Sequence, residues 1–278
     1  MLRSKRLAEG GVLQRYEVRQ GIRLLLRVGK WSALEFLAEP GSAGKRKTSM
    51  KKCTLFLALC AIAFAQEETP DKRLRHSAET FREIMAPPDK AIPRDLLGRA
   101  ECVVIVPGMK KAAFVAGGEY GKGFASCRTG TGWSGPSAVR LAGGSFGLQL
   151  GADSTDVVLS IMNEDGLHHM LSDKFTIGAD ATAAAGPVGR DAKAETDAVV
   201  HAEVLSWSRS RGIFAGVSVN GTAVETDKGE NEKLYGRPEP HNAILRGQVR
   251  PPEAARVLTA ELDEYAGHRN SADRQRDH

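Results

Sequence analysis

SAVRLAGGSFGLQLG, residues 137–151, reads as one long β-strand with an unusual face. Val139 and Leu141 begin one side at the period of two that a strand imposes, and Gly143, Ser145, Gly147, Gln149 and Gly151 continue it. The opposite side carries Phe146, Leu148 and Leu150. Glycine weakens a strand unless another group must come close or the sheet must bend. Eighteen of the 30 glycines fall between Gly117 and Gly221, so the same argument covers the neighbouring segments. ECVVIVP, AAFVAGG and GKGFASC precede the stretch, and TDVVLSIMN, FTIGADATAAAGPVG, HAEVLSWSRSR and GIFAGVSVNG follow it. All are short apolar runs between turn residues, and Gly118-Glu119-Tyr120-Gly121 suggests a tight hairpin. No strand–helix alternation of the kind that builds a parallel sheet is present. The expected fold is α+β: a curved, Gly-rich antiparallel β-sheet or barrel, flanked by N-terminal and C-terminal helices.

The flanking helices have their own signals. In TPDKRLRHSAETFREIMAPP, residues 69–88, Thr69 stands at a cap position and Pro70 at the first helical position. Leu74, Ala78, Phe81 and Met85 then form one helical stripe, which Pro87 and Pro88 end. A second short helix starts at Pro93 through DLLGRA, and DGLHHMLSDKF gives a turn and a short helix. After NEKLYG the chain loosens into RPEPHNAILRGQVRPP. EAARVLTAELDEYAG then places Leu258, Leu262 and Tyr265 on one stripe, a helix expected to dock on the sheet. Residues 267–278 are charged and poor in apolar groups, which predicts a disordered tail.

MKKCTLFLALCAIAFAQ, residues 50–66, has the three parts of a secretory signal: Lys51 and Lys52, an apolar run from Cys53 to Ala65, and an Ala-x-Ala exit before Gln66. The run is too short to cross a bilayer as a helix, which takes about 20 apolar residues. Met50 then reads as the biological start, residues 1–49 as an upstream extension, 50–65 as the signal and 66–266 as a single domain. Cys60 follows Leu59, the wrong residue type for a lipidation site. The charge divides at the same place. Residues 1–65 carry a net +9 and residues 66–278 a net −4, within a whole-chain +5. The basic balance therefore belongs to the part removed, and it is no argument for nucleic-acid binding. Cleavage after Ala65 leaves Cys102 and Cys127. An exporting compartment permits one disulfide between them, and two small buried residues on neighbouring strands is the other reading.

Signals of catalysis are weak. GGSFG, residues 143–147, matches G-x-S-x-G around Ser145, but that motif needs a strand turning sharply into a helix, and LQLGADS is strand-like. AGGEYGKG has Ala116 and Gly123 where a P-loop needs Gly and Ser or Thr. His168 and His169 are adjacent and diverge by about 100° on a helix, a poor pair of metal ligands. No enzyme activity, metal or cofactor is expected.

Six segments are familiar together: PDKAIPRDLL, CVVIVPGMKKAAFVAGGEYGKG, GWSGPSAVRLAGGSFGLQLG, FTIGADATAAAGPVGRD, SRSRGIFAGVSVNG and NEKLYG. In this order they resemble the SYLF family of lipid-binding domains over about residues 71–265. Gly135 stands where the family more often has Ala, and Ala179 where it often has Gly. The resemblance implies phosphoinositide binding, as in eukaryotic members, some of which also bind and bundle actin. Those members often carry an SH3 or zinc-finger lipid module, which is not expected here. An exported chain meets no actin, so binding to anionic phospholipid is the activity that fits a periplasmic or secreted, membrane-peripheral protein.

Headgroup phosphates call for Lys and Arg near apolar anchors, each basic residue near an anionic surface being worth about 1 kcal/mol. A chain of net −4 must gather its cations to use this. Three groups are candidates: Lys72, Arg73, Arg75 and Arg82 beside Phe81 on the opening helix; Lys110 and Lys111 in the PGMKK turn, with Lys122 and Arg128; and Arg209 and Arg211 with Arg190. Arg209 and Arg211 share a strand face and could instead pair with Asp180 or Glu203. The competing expectation is a periplasmic structural or protein-interaction domain without lipid affinity.

Overall fold

Cys102–Ala113 is rich in β-branched residues and opens a 10-stranded sheet as β1. A computed structural model describes residues 68–87, 89–113, 117–145, 151–189, 197–210 and 212–267. The signal-like segment, the extension before it and residues 268–278 lie outside these. The further strands are β2 (Gly117–Thr129), β3 (Gly132–Trp133), β4 (Ser137–Ser145), β5 (Gly151–Ile161), β6 (Lys174–Thr176), β7 (Ala183–Ala185), β8 (Val204–Ser210), β9 (Ile213–Gly216) and β10 (Ala223–Thr226). Their order is β6-β10-β4-β2-β1-β5-β8-β7, with β3 beside β2 and β9 beside β8. Every pair is antiparallel except β7–β8.

The connections show that this sheet curls. Its edge strands β6 and β7 are joined by residues 177–182 alone. Seven steps of chain reach at most about 25 Å, whereas eight strands laid flat would hold the edges about 34 Å apart. The strand path is nevertheless open, so the sheet is a curled half-barrel rather than a closed barrel.

Alternation along the strands splits the core in two. Val104, Val106, Leu159 and Val204 point inward with Ile177 and Ala181 from the segment that bridges the edges. Val103, Ile105, Phe124, Val158 and Trp207 point outward, against the helices. Those helices are α1 (Pro70–Met85), α2 (Arg94–Arg99) and, at the C-terminus, α7 (Arg256–Ala266). Between them in sequence come α3 (Glu164–Met170), α4 (Asp197–Val200), α5 (Lys228–Tyr235) and α6 (His241–Leu245). α1 buries Leu74, Ala78, Phe81, Ile84 and Met85 on the sheet. Thr69 occupies its N-cap without a side-chain hydrogen bond.

Three local expectations change. Gly118-Glu119-Tyr120-Gly121 is not a turn but part of β2, and position 121 takes glycine because a Cβ there would come within 2.6 Å of Val106 Cγ1. Pro107-Gly108 is likewise no turn. The register of β1 shifts between Ile105 and Lys110, and Gly108 at φ 59° makes the bulge that only glycine adopts easily. The stretch expected to loosen after NEKLYG contains α6, too short to display a periodicity but anchored by buried Ile244 and Leu245.

Candidate binding surface

The cations of α1 divide by helical angle. Arg73 is 7 % exposed, and its guanidinium pairs with Glu230 of α5 and donates to the Glu68 carbonyl at 3.1 Å. Lys122 of β2 lies 3.4 Å from the same Glu230 and 3.2 Å from Asp227. Burial pushes the Asp227 carboxyl up, but the Glu230 amide and the Lys122 ammonium more than offset this and hold it below the usual range. Lys72, Arg75 and Arg82 face solvent, Arg82 at 3.7 Å from Glu261. Asp71, Glu79 and Glu83 share that exposed side, so three cations meet three carboxylates there. The apolar stripe intended as an anchor is sealed: Phe81 is 0 % exposed and meets Tyr265 edge-on at 6.0 Å. The expected basic amphipathic face on this helix is thereby corrected to a docked helix with a mixed-charge exterior.

On the sheet a row of charged residues runs from strand to strand. Lys174, Glu225, Arg140 and Lys122 are directly opposite one another across β6, β10, β4 and β2. Lys174 lies 2.6 Å and Arg140 2.9 Å from Glu225. These two hydrogen bonds hold the Glu225 carboxyl below its ordinary value, and the Glu225 bond raises Arg140. Further along, Arg209 of β8 faces Asp156 of β5 at 2.8 Å and reaches Glu83 of α1 at 2.8 Å. Burial lowers the Arg209 guanidinium, and the two carboxylates raise it by more. Asp156 also accepts the bulge amide of Gly108 at 2.8 Å. Arg209 therefore has acidic partners, though Asp156 and Glu83 rather than Asp180 or Glu203.

Arg128 has a different task. Its Nε donates to Ala100 O at 2.9 Å, and its two terminal nitrogens to Leu97 O, Ala266 O and Gly267 O at 3.0, 2.9 and 2.8 Å. Its guanidinium stacks 4.5 Å from the Trp133 ring. One side chain thus caps the C-terminal ends of α2 and α7, where unsatisfied carbonyls and the helix dipole favour a cation. It does not face a headgroup.

Another exposed cation stands towards the ends of the described parts of β4, β2, β1 and β5. Lys110 is exposed there, with Tyr120 directly opposite it on β2 and Ser154 opposite on β5. Its Nζ donates to Ser154 Oγ at 3.1 Å, and Tyr120 is 46 % exposed. Lys111 is the next residue of β1, but its side chain is outside the described set, as are Arg190 and Arg211. Sequence reasoning missed Tyr120 because it placed a turn on it; a strand through residues 117–129 would have set it opposite Lys110.

The cysteines are bonded: Cys102 and Cys127 face each other across β1 and β2, with Cα atoms 3.9 Å apart. Ser145 ends β4, and the described chain resumes in strand β5 rather than the helix a nucleophile elbow needs. Among the described residues no group of three or more His, Cys, Asp or Glu is placed to hold a metal ion.

Residues 142–265 match the Ysc84 family, described as Las17-binding protein actin regulator. The chain is 36 % identical over 182 residues to LAS seventeen-binding protein 3 of Saccharomyces cerevisiae, covering 64 % of this chain and 39 % of that protein. It is 31 % identical over 181 residues to SH3 domain-containing YSC84-like protein 1 of Xenopus laevis, covering 64 % and 54 %, and 33 % identical to the Homo sapiens protein of that name, covering 64 % and 52 %. It spans about two fifths to one half of the length of these relatives, of which the yeast protein is named for binding. With that match, those identities and the curled sheet between its helices, the chain belongs to the SYLF, or Ysc84, family.

Proposed function

We propose that this chain is a non-enzymatic binding domain of the cell envelope or exterior, and that it meets anionic phospholipid through the part of its sheet that carries Lys110 and Tyr120 rather than through α1. The observation that carries this is the Lys110–Tyr120 pair: a cation and an amphipathic ring, directly opposite, exposed, and beyond the row of neutralised charges. Such a pair suits a bilayer interface, where the ring lies at headgroup level and the ammonium meets phosphate. The bonded pair Cys102–Cys127 supports export, because disulfides persist in oxidising compartments. N-terminal sequencing of the mature protein should then begin at or near Gln66.

Co-sedimentation with neutral and anionic vesicles at low and high salt tests the lipid contact. Anionic vesicles should be preferred, salt should weaken binding, and Lys110→Glu should lower it about tenfold while Arg75→Gln changes it little. The second reading is a protein partner, favoured by relatives named for Las17 binding. Equal indifference to both vesicle types would select it.

A further inference from the structure

Four elements meet on one imidazole at the base of the half-barrel. His241, the first residue of α6, is 4 % exposed. Its Nε2 lies 2.8 Å from Met170 O at the end of α3, and its Nδ1 lies 2.7 Å from Ser137 Oγ at the start of β4. A carbonyl can only accept, so Nε2 carries the hydrogen and Nδ1 is the acceptor, to which the Ser137 hydroxyl donates. Asn231 of α5 completes the set. Its Nδ2 donates to Ser137 Oγ at 3.0 Å, and its Oδ1 accepts from the Ala138 amide at 2.7 Å. The pairing closes only while the ring is neutral. Protonation would make Nδ1 a second donor aimed at Ser137 Oγ, whose own hydrogen would lose its acceptor, and Ser137 is 0 % exposed.

The surroundings offer the imidazolium little. Beside His241, a cleft of about 550 Å³ is lined by Asp173 from the turn after α3, Lys228 and Glu232 of α5, and Glu239 just before α6. Asp173 is 2.7 Å from Lys228, and Glu239 pairs with Arg237, so two of its three carboxylates already hold cations. His169 of α3 is turned to Glu203 at 3.6 Å, and β4 contributes only the Ser137 hydroxyl. Burial pushes the ring below the ordinary histidine value, opposed by the Met170 carbonyl and by Asp173.

We propose that His241 is a proton-operated latch: neutral, it fastens α6 and residues 237–242 to β4, α3 and α5; protonated, it releases that segment and opens the cleft beside it. A histidine depressed in the folded state contributes stability above the unfolded value of about 6.5, and this is lost as pH falls towards the folded value. The latch therefore holds at neutral pH and loosens in acid.

Hydrogen exchange on the full chain at pH 7.5 and 5.0, corrected for intrinsic rates, reads the release directly. Protection should fall about tenfold or more in residues 237–247 and at Ala138 and Leu171, and less elsewhere. In His241→Asn the difference between the two pH values should vanish. Should that variant fail to fold, the wild-type ring decides: its NMR titration should lie below the ordinary histidine value and coincide with loss of α6 protection. An imidazole titrating near 6.5 while α6 stays protected at pH 5.0, or a His241→Asn protein with the full acid response, overturns the latch.

Discussion

Arg128 shows how a single residue can look like one thing in sequence and do another in the fold. In the sequence it is a basic residue near a Lys-rich segment. In the structure its five N–H groups serve four carbonyls at two helix ends, and its flat face covers Trp133. Replacing it with Met keeps the stem but leaves those carbonyls without their shared donor. We expect Arg128→Met to cost about 3 kcal/mol, seen as a Tm lower by roughly 10 °C. Lysine should not rescue it, because a point charge cannot reach both helix ends in one plane. A loss below 2 °C would show that water serves the carbonyls equally well. No local pattern could have found this role, since the partners lie up to 139 residues away.

At the scale of the element, α1 carries a clear apolar stripe and an ambiguous set of charges. Leu74, Phe81 and Met85 form the stripe expected from the sequence, and the fold buries it instead of leaving Phe81 free to anchor in lipid. Arg73, Ser77 and Thr80 lie along a second stripe and are buried too, because α5 and α7 also pack against the helix and widen its covered face. Two arginines of one helix therefore differ sharply. Removing the buried partner, Arg73→Met, leaves Glu230 with Lys122 alone and should cost about 2 kcal/mol in urea unfolding. Arg82→Met breaks only a long, partly exposed pair with Glu261 and should cost less than about 1 kcal/mol. Equal losses would mean that α1 is not held as described. The misplaced turns have a separate cause: Gly121 and Pro107-Gly108 looked like breakers, whereas β2 needs Gly121 for close approach to Val106 and β1 bulges at Gly108.

For the whole molecule, the disulfide joins strands at the centre of the sheet. Cys102 and Cys127 are 0 % and 1 % exposed, beside the inner core. The bond closes a 25-residue separation, so its loss should destabilise by about 3 kcal/mol. A Cys102→Ser, Cys127→Ser protein should unfold at lower urea, while dithiothreitol should leave the folded wild type intact because neither sulfur is accessible. Rapid reduction of the native protein would contradict that burial.

Local order was already determined by the sequence: a period of two through the Gly-rich middle, a period of 3.6 at both ends, and six segments sufficient for the family. These are properties of neighbouring residues, so a linear reading reaches them. The tertiary structure alone decided what each charge faces. Arg73, Lys122, Arg128 and Arg209 became internal ties, and Lys110 with Tyr120 remained outside. The reason is physical: a Lys or Arg is equally basic wherever it stands, and only the groups that the fold brings within about 3 Å determine whether its charge is spent inside or offered to a partner.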